Sequence, residues 1–162
     1  MREAIFSALD ARGVLPGARV LDLYAGSGAL GLEAASRGAA HVTLVDKATA
    51  AHRVTSDNAA RVRRAAPAGA VPEIVVSSQP VQSFLGGATA TWDVVFLDPP
   101  YDLGGLELTH TLDALVPRLA EDAVVVVERS ARDRAPEWPE GLDLDRRKDY
   151  GETAVFYLSP ST

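Results

Sequence analysis

The hydrophobic positions along the chain follow two alternating spacings. Short continuous runs of Val, Leu and Ile are typical of strands buried within a sheet, whereas apolar residues three or four positions apart indicate one face of a helix. The runs predict strands over residues 19–24, 41–45, 73–77, 92–97, 123–127 and 153–158, and the spaced residues predict helices over 2–11, 29–37, 48–64 and 106–119.

This alternation of strands and helices is typical of a parallel sheet with covering helices. We therefore predict a single α/β domain over residues 1–162 with a doubly wound, Rossmann-like fold. Ligands of such folds bind beyond the carboxyl ends of the strands, where the strand order reverses. Residues 132–142, which are rich in charge and proline, are predicted to form a loop.

The composition narrows the possible chemistry. Of the 162 residues, 47% are hydrophobic and none is cysteine, which excludes disulfides, thiolate metal sites and covalent catalysis by cysteine. His41, His52 and His110 show no metal-ligand spacing, so we expect no metal. No apolar run is long enough for a membrane span, so we expect a cytoplasmic protein with no membrane partner. The net charge of -6 requires any contact with nucleic acid to be local.

A glycine-rich segment separates the first predicted strand from the following helix. Gly26, Gly28 and Gly31 satisfy the G-x-G-x-x-G spacing, which lets a ligand approach the backbone closely. The spacing suits NAD, whose pyrophosphate needs a helix N-terminus, as well as S-adenosylmethionine (SAM), which has no phosphate. The candidate cofactor-binding residues of this segment are Asp22, Tyr24, Ala25, Gly26, Ser27 and Gly28.

Two acidic residues extend the candidate cofactor site. Asp46 ends the second predicted strand, with Lys47 beside it, and could accept hydrogen bonds from the ribose of either cofactor; the alternative is that it caps a helix. Asp22 would attract the ammonium end of a methionine moiety and repel a pyrophosphate, which favours SAM; the alternative is that it bonds only turn amides. Ser78 and Gln79, after the third strand, are candidates for contacting adenine.

The tetrapeptide Asp98-Pro99-Pro100-Tyr101 follows the fourth predicted strand at the sheet edge that carries the glycine turn, and its four residues are the candidate catalytic residues. The Asp98 carboxylate and the Pro99 carbonyl could accept hydrogen bonds from one amino group, and Tyr101 offers a ring on which a flat base can stack. Two acceptors would localise the lone pair of an exocyclic amine and align it with a methyl donor. The alternative is a proline-stiffened turn.

Segments 22–31 and 98–101 together resemble class I methyltransferases that act on amino groups, and more specifically the RsmD family. Segments 2–6, 31–39 and 150–154 also resemble that family. The resemblance implies a mostly parallel seven-stranded sheet with an antiparallel C-terminal strand. It also implies SAM as the cofactor and methylation of the N2 amino group of a guanine in small-subunit (16S) ribosomal RNA.

The same resemblance assigns roles to individual residues. It implies that Gly26, Gly28 and Asp46 bind the donor, and that Asp98, Pro99 and Tyr101 hold the guanine. Asn58 matches a family asparagine, and no role for it follows from the sequence.

The expected partner is ribosomal RNA in a small-subunit particle, bound by a monomer. Candidate contacts to the RNA are Arg146, Arg147 and Lys148, although such charges often form only a solvated face. Two features depart from the family pattern. The chain starts inside the first helix, without the basic β segment that usually precedes it, and Ser77-Ser78-Gln79 stands where an acidic residue is common.

Three alternative functions remain open on the sequence. The same chemistry could serve an amino group of DNA adenine or of a protein glutamine, although DNA enzymes usually carry an added recognition domain. An NAD-dependent oxidoreductase could use the same glycine turn, but the chain lacks room for a substrate domain. A non-catalytic RNA-binding module is the third alternative.

Overall fold

The computed structural model describes residues 1–162 and consists of a seven-stranded sheet covered by helices on both faces. In chain order the elements are α1 (Arg2–Arg12), β1 (Arg19–Leu23), α2 (Ala29–Ser36), β2 (His41–Asp46), α3 (Thr49–Ala65), β3 (Glu73–Ser78), α4 (Val81–Gly87), β4 (Trp92–Leu97), α5 (Gly105–Leu115), a 3₁₀ turn (Val116–Arg118), β5 (Leu119–Ser130), β6 (Leu142–Tyr150) and β7 (Thr153–Pro160).

The strand order of the sheet is β3-β2-β1-β4-β5-β7-β6. Strands β1 to β5 pair in parallel, and β7 is antiparallel to both β5 and β6. The predicted doubly wound, mostly parallel sheet with an antiparallel C-terminal strand is therefore confirmed. The order reverses between β1 and β4, which makes the carboxyl ends of these two strands the expected ligand site. The glycine turn and Asp98 follow these two ends.

Two apolar layers hold the helices on the sheet. One layer contains side chains of α1, α2 and α3, such as Phe6, Leu32 and Ala59, and the other contains side chains of α4 and α5, such as Leu85 and Leu112. The strands contribute side chains to both layers because successive side chains of a strand point to opposite faces of the sheet. None of the helices combines the length and the apolarity that crossing a bilayer requires.

The predicted elements exist, but some boundaries differ. The helix predicted to reach residue 119 ends at Leu115, because Pro117 has no amide hydrogen to donate to a further helical turn. Leu119 already pairs with Trp92, so β5 begins four residues before the predicted strand. The loop predicted over residues 132–142 is present up to β6.

Two elements were not predicted from periodicity. Helix α4 has only seven residues and ends in Gly86-Gly87, which is too short for a clear helical spacing. Strand β6 reads LDLDRRKDY; it is exposed along most of its length, and after Leu144 it has no alternation of apolar and polar residues. Its strand conformation comes from main-chain pairing with β7 at the edge of the sheet.

Candidate active site

The glycine turn after β1 is held by side chains of β2 and α3. The Gly26 amide donates to Oδ2 of Asp46 (2.8 Å), and Oγ1 of Thr55 donates to the Gly26 carbonyl (2.6 Å). Nδ2 of Asn58 donates to the Ser27 carbonyl (3.1 Å), which gives this asparagine a structural role that the sequence did not indicate. Gly26 and Gly28 adopt positive φ angles of 57° and 83°, which favour glycine.

Asp46 connects the turn to the start of α3. Its Oδ2 accepts the Gly26 amide and its Oδ1 accepts the Ala48 amide, both at 2.8 Å, so the capping interpretation describes one of its two contacts. An ionised carboxylate has about four acceptor positions, and the side chain is half-buried at a cavity wall. Asp46 therefore keeps acceptor capacity for a ribose hydroxyl, and this role stays a prediction.

The first of two neighbouring cavities has a volume of about 510 Å³, within the usual range for small-molecule sites. Three of the ten predicted cofactor residues line it, namely Tyr24, Asp46 and Lys47. The other seven do not: Asp22, Ala25, Gly26, Ser27, Gly28, Ser78 and Gln79. Nε2 of Gln79 instead donates to Oγ of Ser77 (2.7 Å). The remaining lining residues, which sequence reasoning missed except for Asp98 and Pro100, are Ala48, Pro80, Val81, Gln82, Asp98, Pro100, Leu103, Glu107 and Thr111.

Hydrogen bonds connect three of the residues that line this cavity. The hydroxyl of Tyr24 lies 3.2 Å from Oγ1 of Thr111, and Nε2 of Gln82 donates to the same oxygen (3.1 Å). These contacts join the β1 turn, α4 and α5 through one fully buried threonine. Burial raises the pKa of Tyr24, and its phenol therefore stays neutral at neutral pH.

The second cavity has a volume of about 580 Å³ and contains all four predicted catalytic residues. Asp98 and Pro100 line both cavities, so they form the boundary between them. Tyr101 is 91% exposed, which leaves its ring free for stacking. The other residues that line the second cavity are Met1, Glu128, Arg129, Ser130, Asp133, Glu152 and Thr153.

Two carboxyl groups whose pKa values are raised, those of Asp98 and Glu128, lie at this boundary. Burial and, to a smaller extent, the nearby charge of Asp98 raise the pKa of Glu128 to about 7, against the opposing effect of the N-terminal ammonium group. Desolvation also raises the pKa of Asp98, although the Arg129 charge partly opposes it. A site with this charge distribution attracts a cationic ligand. No group of three or more His, Asp or Glu side chains in the structure is arranged to hold a metal ion.

Asp22 lies beneath the first turn of α2 rather than in a cavity. It is only 2% exposed, and its Oδ2 accepts the Gly31 amide at 2.9 Å. Burial raises its pKa, the Gly31 amide opposes this effect, and the charges of Asp98, Glu128 and Asp46 add to it, which together give a pKa of about 7. The alternative that Asp22 bonds backbone amides thus describes a real contact, and a role toward a methionine ammonium stays a prediction.

The three basic residues predicted to contact RNA do not form one patch. They lie on β6, where successive side chains point to opposite faces of the sheet. Arg146 and Lys148 therefore share one face, and Arg147 lies on the other. Arg147 is engaged locally, with Nε donating to Asp149 (2.8 Å) and its guanidinium 5.1 Å from the centre of the Phe156 ring.

Glu128 is the most informative residue that sequence reasoning missed. It directly follows the apolar run Ala123–Val127, and it shares the second cavity with Asp98. A carboxylate immediately after a buried parallel strand lies at the ligand-binding edge of such a sheet. That position was a usable signal in the sequence.

Comparison with known proteins identifies the family. The model of a family described as Conserved hypothetical protein 95 matches residues 1–159. The ribosomal RNA small subunit methyltransferase D of Escherichia coli is 37% identical over 154 residues, which cover 95% of this chain and 73% of that protein. A conserved hypothetical protein of Streptococcus pyogenes superposes with a TM-score of 0.84 at 30% identity, over 99% of this chain and 96% of that one.

A more distant solved structure shares the fold alone. The magnesium protoporphyrin IX methyltransferase of Synechocystis, solved with bound SAM, has a TM-score of 0.73 at 17% identity, over 99% of this chain and 78% of that one. The match of the family model to nearly the whole sequence, together with the Escherichia coli relative, means that the chain belongs to the Conserved hypothetical protein 95 family, which is the RsmD family.

Proposed function

We propose that this protein is a SAM-dependent methyltransferase that methylates the N2 amino group of a guanine in small-subunit ribosomal RNA. The observation that carries the proposal is the position of Asp98 on the boundary between two cavities. Methyl transfer requires a donor and an acceptor to meet at one point with their reacting atoms aligned. A carboxylate at the junction of two ligand-sized cavities meets that requirement.

The first cavity suits SAM. SAM has no phosphate, so its binding does not require the adjoining glycine turn to hold one. Asp46 has acceptor capacity for a ribose, and the ring of Tyr24 provides an apolar wall. The surrounding carboxyl groups favour a cation over the pyrophosphate of NAD, which they would repel. When bound, SAM supplies an electrophilic methyl group on a positively charged sulfur.

The second cavity suits a flat base that carries an amino group. The Asp98 carboxylate and the Pro99 carbonyl accept hydrogen bonds from the amino group and direct its lone pair toward the first cavity, while Tyr101 stacks on the base. The amino nitrogen becomes positive as it gains the methyl group, and the adjacent carboxylate stabilises that charge. Asp98 then accepts the proton that the nitrogen releases.

The choice of ribosomal RNA rests on relatives. The Escherichia coli protein is named as a ribosomal RNA small subunit methyltransferase, and this chain covers 73% of it. We propose that this protein acts in the cytoplasm, as a monomer, on a small-subunit particle. Arg146 and Lys148, which share one exposed face of β6, are the proposed phosphate contacts.

Nucleoside analysis tests the proposal. The protein is incubated with SAM and with unmodified small-subunit RNA, either naked or in particles, and the RNA is digested and examined by mass spectrometry. We expect N2-methylguanosine to form, and its absence from both substrates would refute the proposal. Titration calorimetry with SAM and with NADH provides a second test, because tight binding of NADH alone would exclude SAM as the ligand.

A further inference from the structure

Glu128 is a buried carboxylate in the second cavity that the proposed chemistry does not use. Its side chain is 6% exposed, and no hydrogen bond contributes to its charge state. A buried carboxylate without a partner is costly and rare in folded proteins. Because Glu128 lines the cavity, a bound ligand can supply the missing partner.

The register of the sheet brings Glu128 next to Asp98. In the parallel pairing of β4 with β5, Phe96 lies opposite Val126 and Leu97 opposite Val127. Asp98 and Glu128 directly follow this last pair; they line the same cavity, and the charge of Asp98 acts on Glu128. Val126 belongs to the apolar layer on the α1 side of the sheet, and Glu128, two residues later on the strand, points to the same side.

No basic side chain neutralises Glu128. The neighbouring Arg129 points to the opposite face of the strand, where its Nη2 donates to the Leu103 carbonyl (2.9 Å) and lies 3.9 Å from Asp133. The remaining positive charge near the carboxylate is the N-terminal ammonium group, whose effect is smaller than those of burial and of Asp98. The cavity therefore offers two adjacent carboxylates to its ligand.

Guanine carries two adjacent kinds of donor on one edge. Its N2 amino group lies beside the N1–H group, whereas the ring nitrogen beside the amino group of adenine or cytosine has a lone pair and no hydrogen. We propose that Glu128 is a specificity-determining residue whose carboxylate accepts the N1–H of the guanine that Asp98 and Pro99 hold by its N2 amino group. This inference rests on the function proposed above.

The contact selects guanine by repulsion as well as by attraction. A carboxylate opposite the ring-nitrogen lone pair of adenine or cytosine would be repelled and left without a partner in a buried site. Sites that hydrogen-bond a donor of the correct substrate reject analogues that lack it by large factors. Glu128 thus prevents methylation of other amino-bearing bases that can reach Asp98.

A base analogue and an isosteric variant test the contact together. The substrate is small-subunit RNA that carries either guanine or 2-aminopurine at the methylated position; 2-aminopurine keeps the N2 amino group but has a lone pair at N1. We expect the wild-type protein to prefer guanine by about 100-fold or more in kcat/KM. Glu128→Gln removes the charge, and its amide can donate to the N1 lone pair of the analogue.

The Gln amide oxygen can still accept the N1–H, so the variant loses only the difference between a charged and a neutral acceptor. We expect kcat/KM for guanine RNA to fall by about tenfold and kcat/KM for 2-aminopurine RNA to change by less than about threefold. The ratio of the two substrates isolates the N1 contact, because the missing O6 of the analogue affects both proteins equally. Glu121→Gln is the matched control, since Glu121 is an exposed glutamate at the other end of β5. It should leave the ratio unchanged.

Equal losses on the two substrates would overturn the inference, because they would indicate a general electrostatic or structural effect of Glu128. Equal rates of the wild-type protein on guanine and 2-aminopurine RNA would overturn it without any variant. In both cases guanine is still methylated, so the proposed function survives. No N2 methylation of guanine RNA by the wild-type protein would instead refute the proposed function and the inference with it.

Discussion

Replacing Asp98 with alanine removes the carboxylate that lies between the two cavities. A hydrogen bond to a charged group contributes about 1.5–3 kcal/mol. At about 1.4 kcal/mol for each tenfold change, this range corresponds to a rate reduction of about 10- to 150-fold. Because Asp98 is desolvated and faces a nitrogen that becomes positive, the effect should lie near the upper end. We expect kcat to fall by about 100-fold.

The assay is single-turnover methylation at saturating SAM and RNA, which separates the chemical step from binding. Loss of folding would not account for the result. The pKa of Asp98 is raised in the folded state, so its ionised form destabilises the fold, and Asp98→Ala should keep or raise the melting temperature at about pH 8.

Asp102→Ala is the matched control, since Asp102 is an exposed carboxylate four residues later that lines neither of the two cavities. Its rate should equal that of the wild-type protein. An Asp98→Ala protein that methylates at the wild-type rate, or an equal loss in Asp102→Ala, would refute the assignment of Asp98 as the residue that holds the amine.

Three further predictions concern the surroundings of this site. Lowering the pH from about 8 to about 6 should raise the melting temperature of the ligand-free protein. Asp22 and Glu128 have pKa values raised to about 7, and their stabilising contribution is lost as the pH rises through that value. In Asp22→Asn the melting temperature should therefore change less with pH. Asp46→Asn should weaken SAM binding by about tenfold in calorimetry, and unchanged affinity would exclude Asp46 from the donor site. Gly31→Ala should cost about 2 kcal/mol and lower the melting temperature by about 4–8 °C, because a Cβ there would overlap Leu44 and press on Asp22. Gly86→Ala, in open space on α4, is its control, and an equal loss in both would contradict the packing argument.

The parallel part of the fold could be predicted because its strands are buried on both faces. Runs such as Val124–Val127 are interpreted as strands that are buried on both faces, and the glycine turn marks the end of the strand before it. Strand β6 could not be predicted in this way, since its side chains are mostly exposed and only its main chain is constrained by β7. In this strand the side chain of Arg147 points to the opposite face from those of Arg146 and Lys148. Counting charges along the sequence does not reveal this separation.

The candidate site divides in the same manner. Residues fixed by a motif after a strand, such as Asp46 and Asp98, were found because the strand ends converge at one edge of the sheet. Gln82 and Thr111 were missed because their proximity to Tyr24 depends on how α4 and α5 pack together, which is a tertiary contact without a local signature. Ser78 and Gln79 directly precede residues that line the first cavity, but they do not line it themselves; Pro80, Val81 and Gln82 do.

The boundary position of Asp98 has a consequence for the order of events on the enzyme. A cation in the first cavity favours the ionised forms of Asp98 and Glu128, and these are the forms that accept hydrogen bonds from a base in the second cavity. Coupling between two binding sites is reciprocal, so a bound base must strengthen the grip on the donor by the same factor. We therefore expect the enzyme to bind SAM more tightly when its RNA is bound than when it is free.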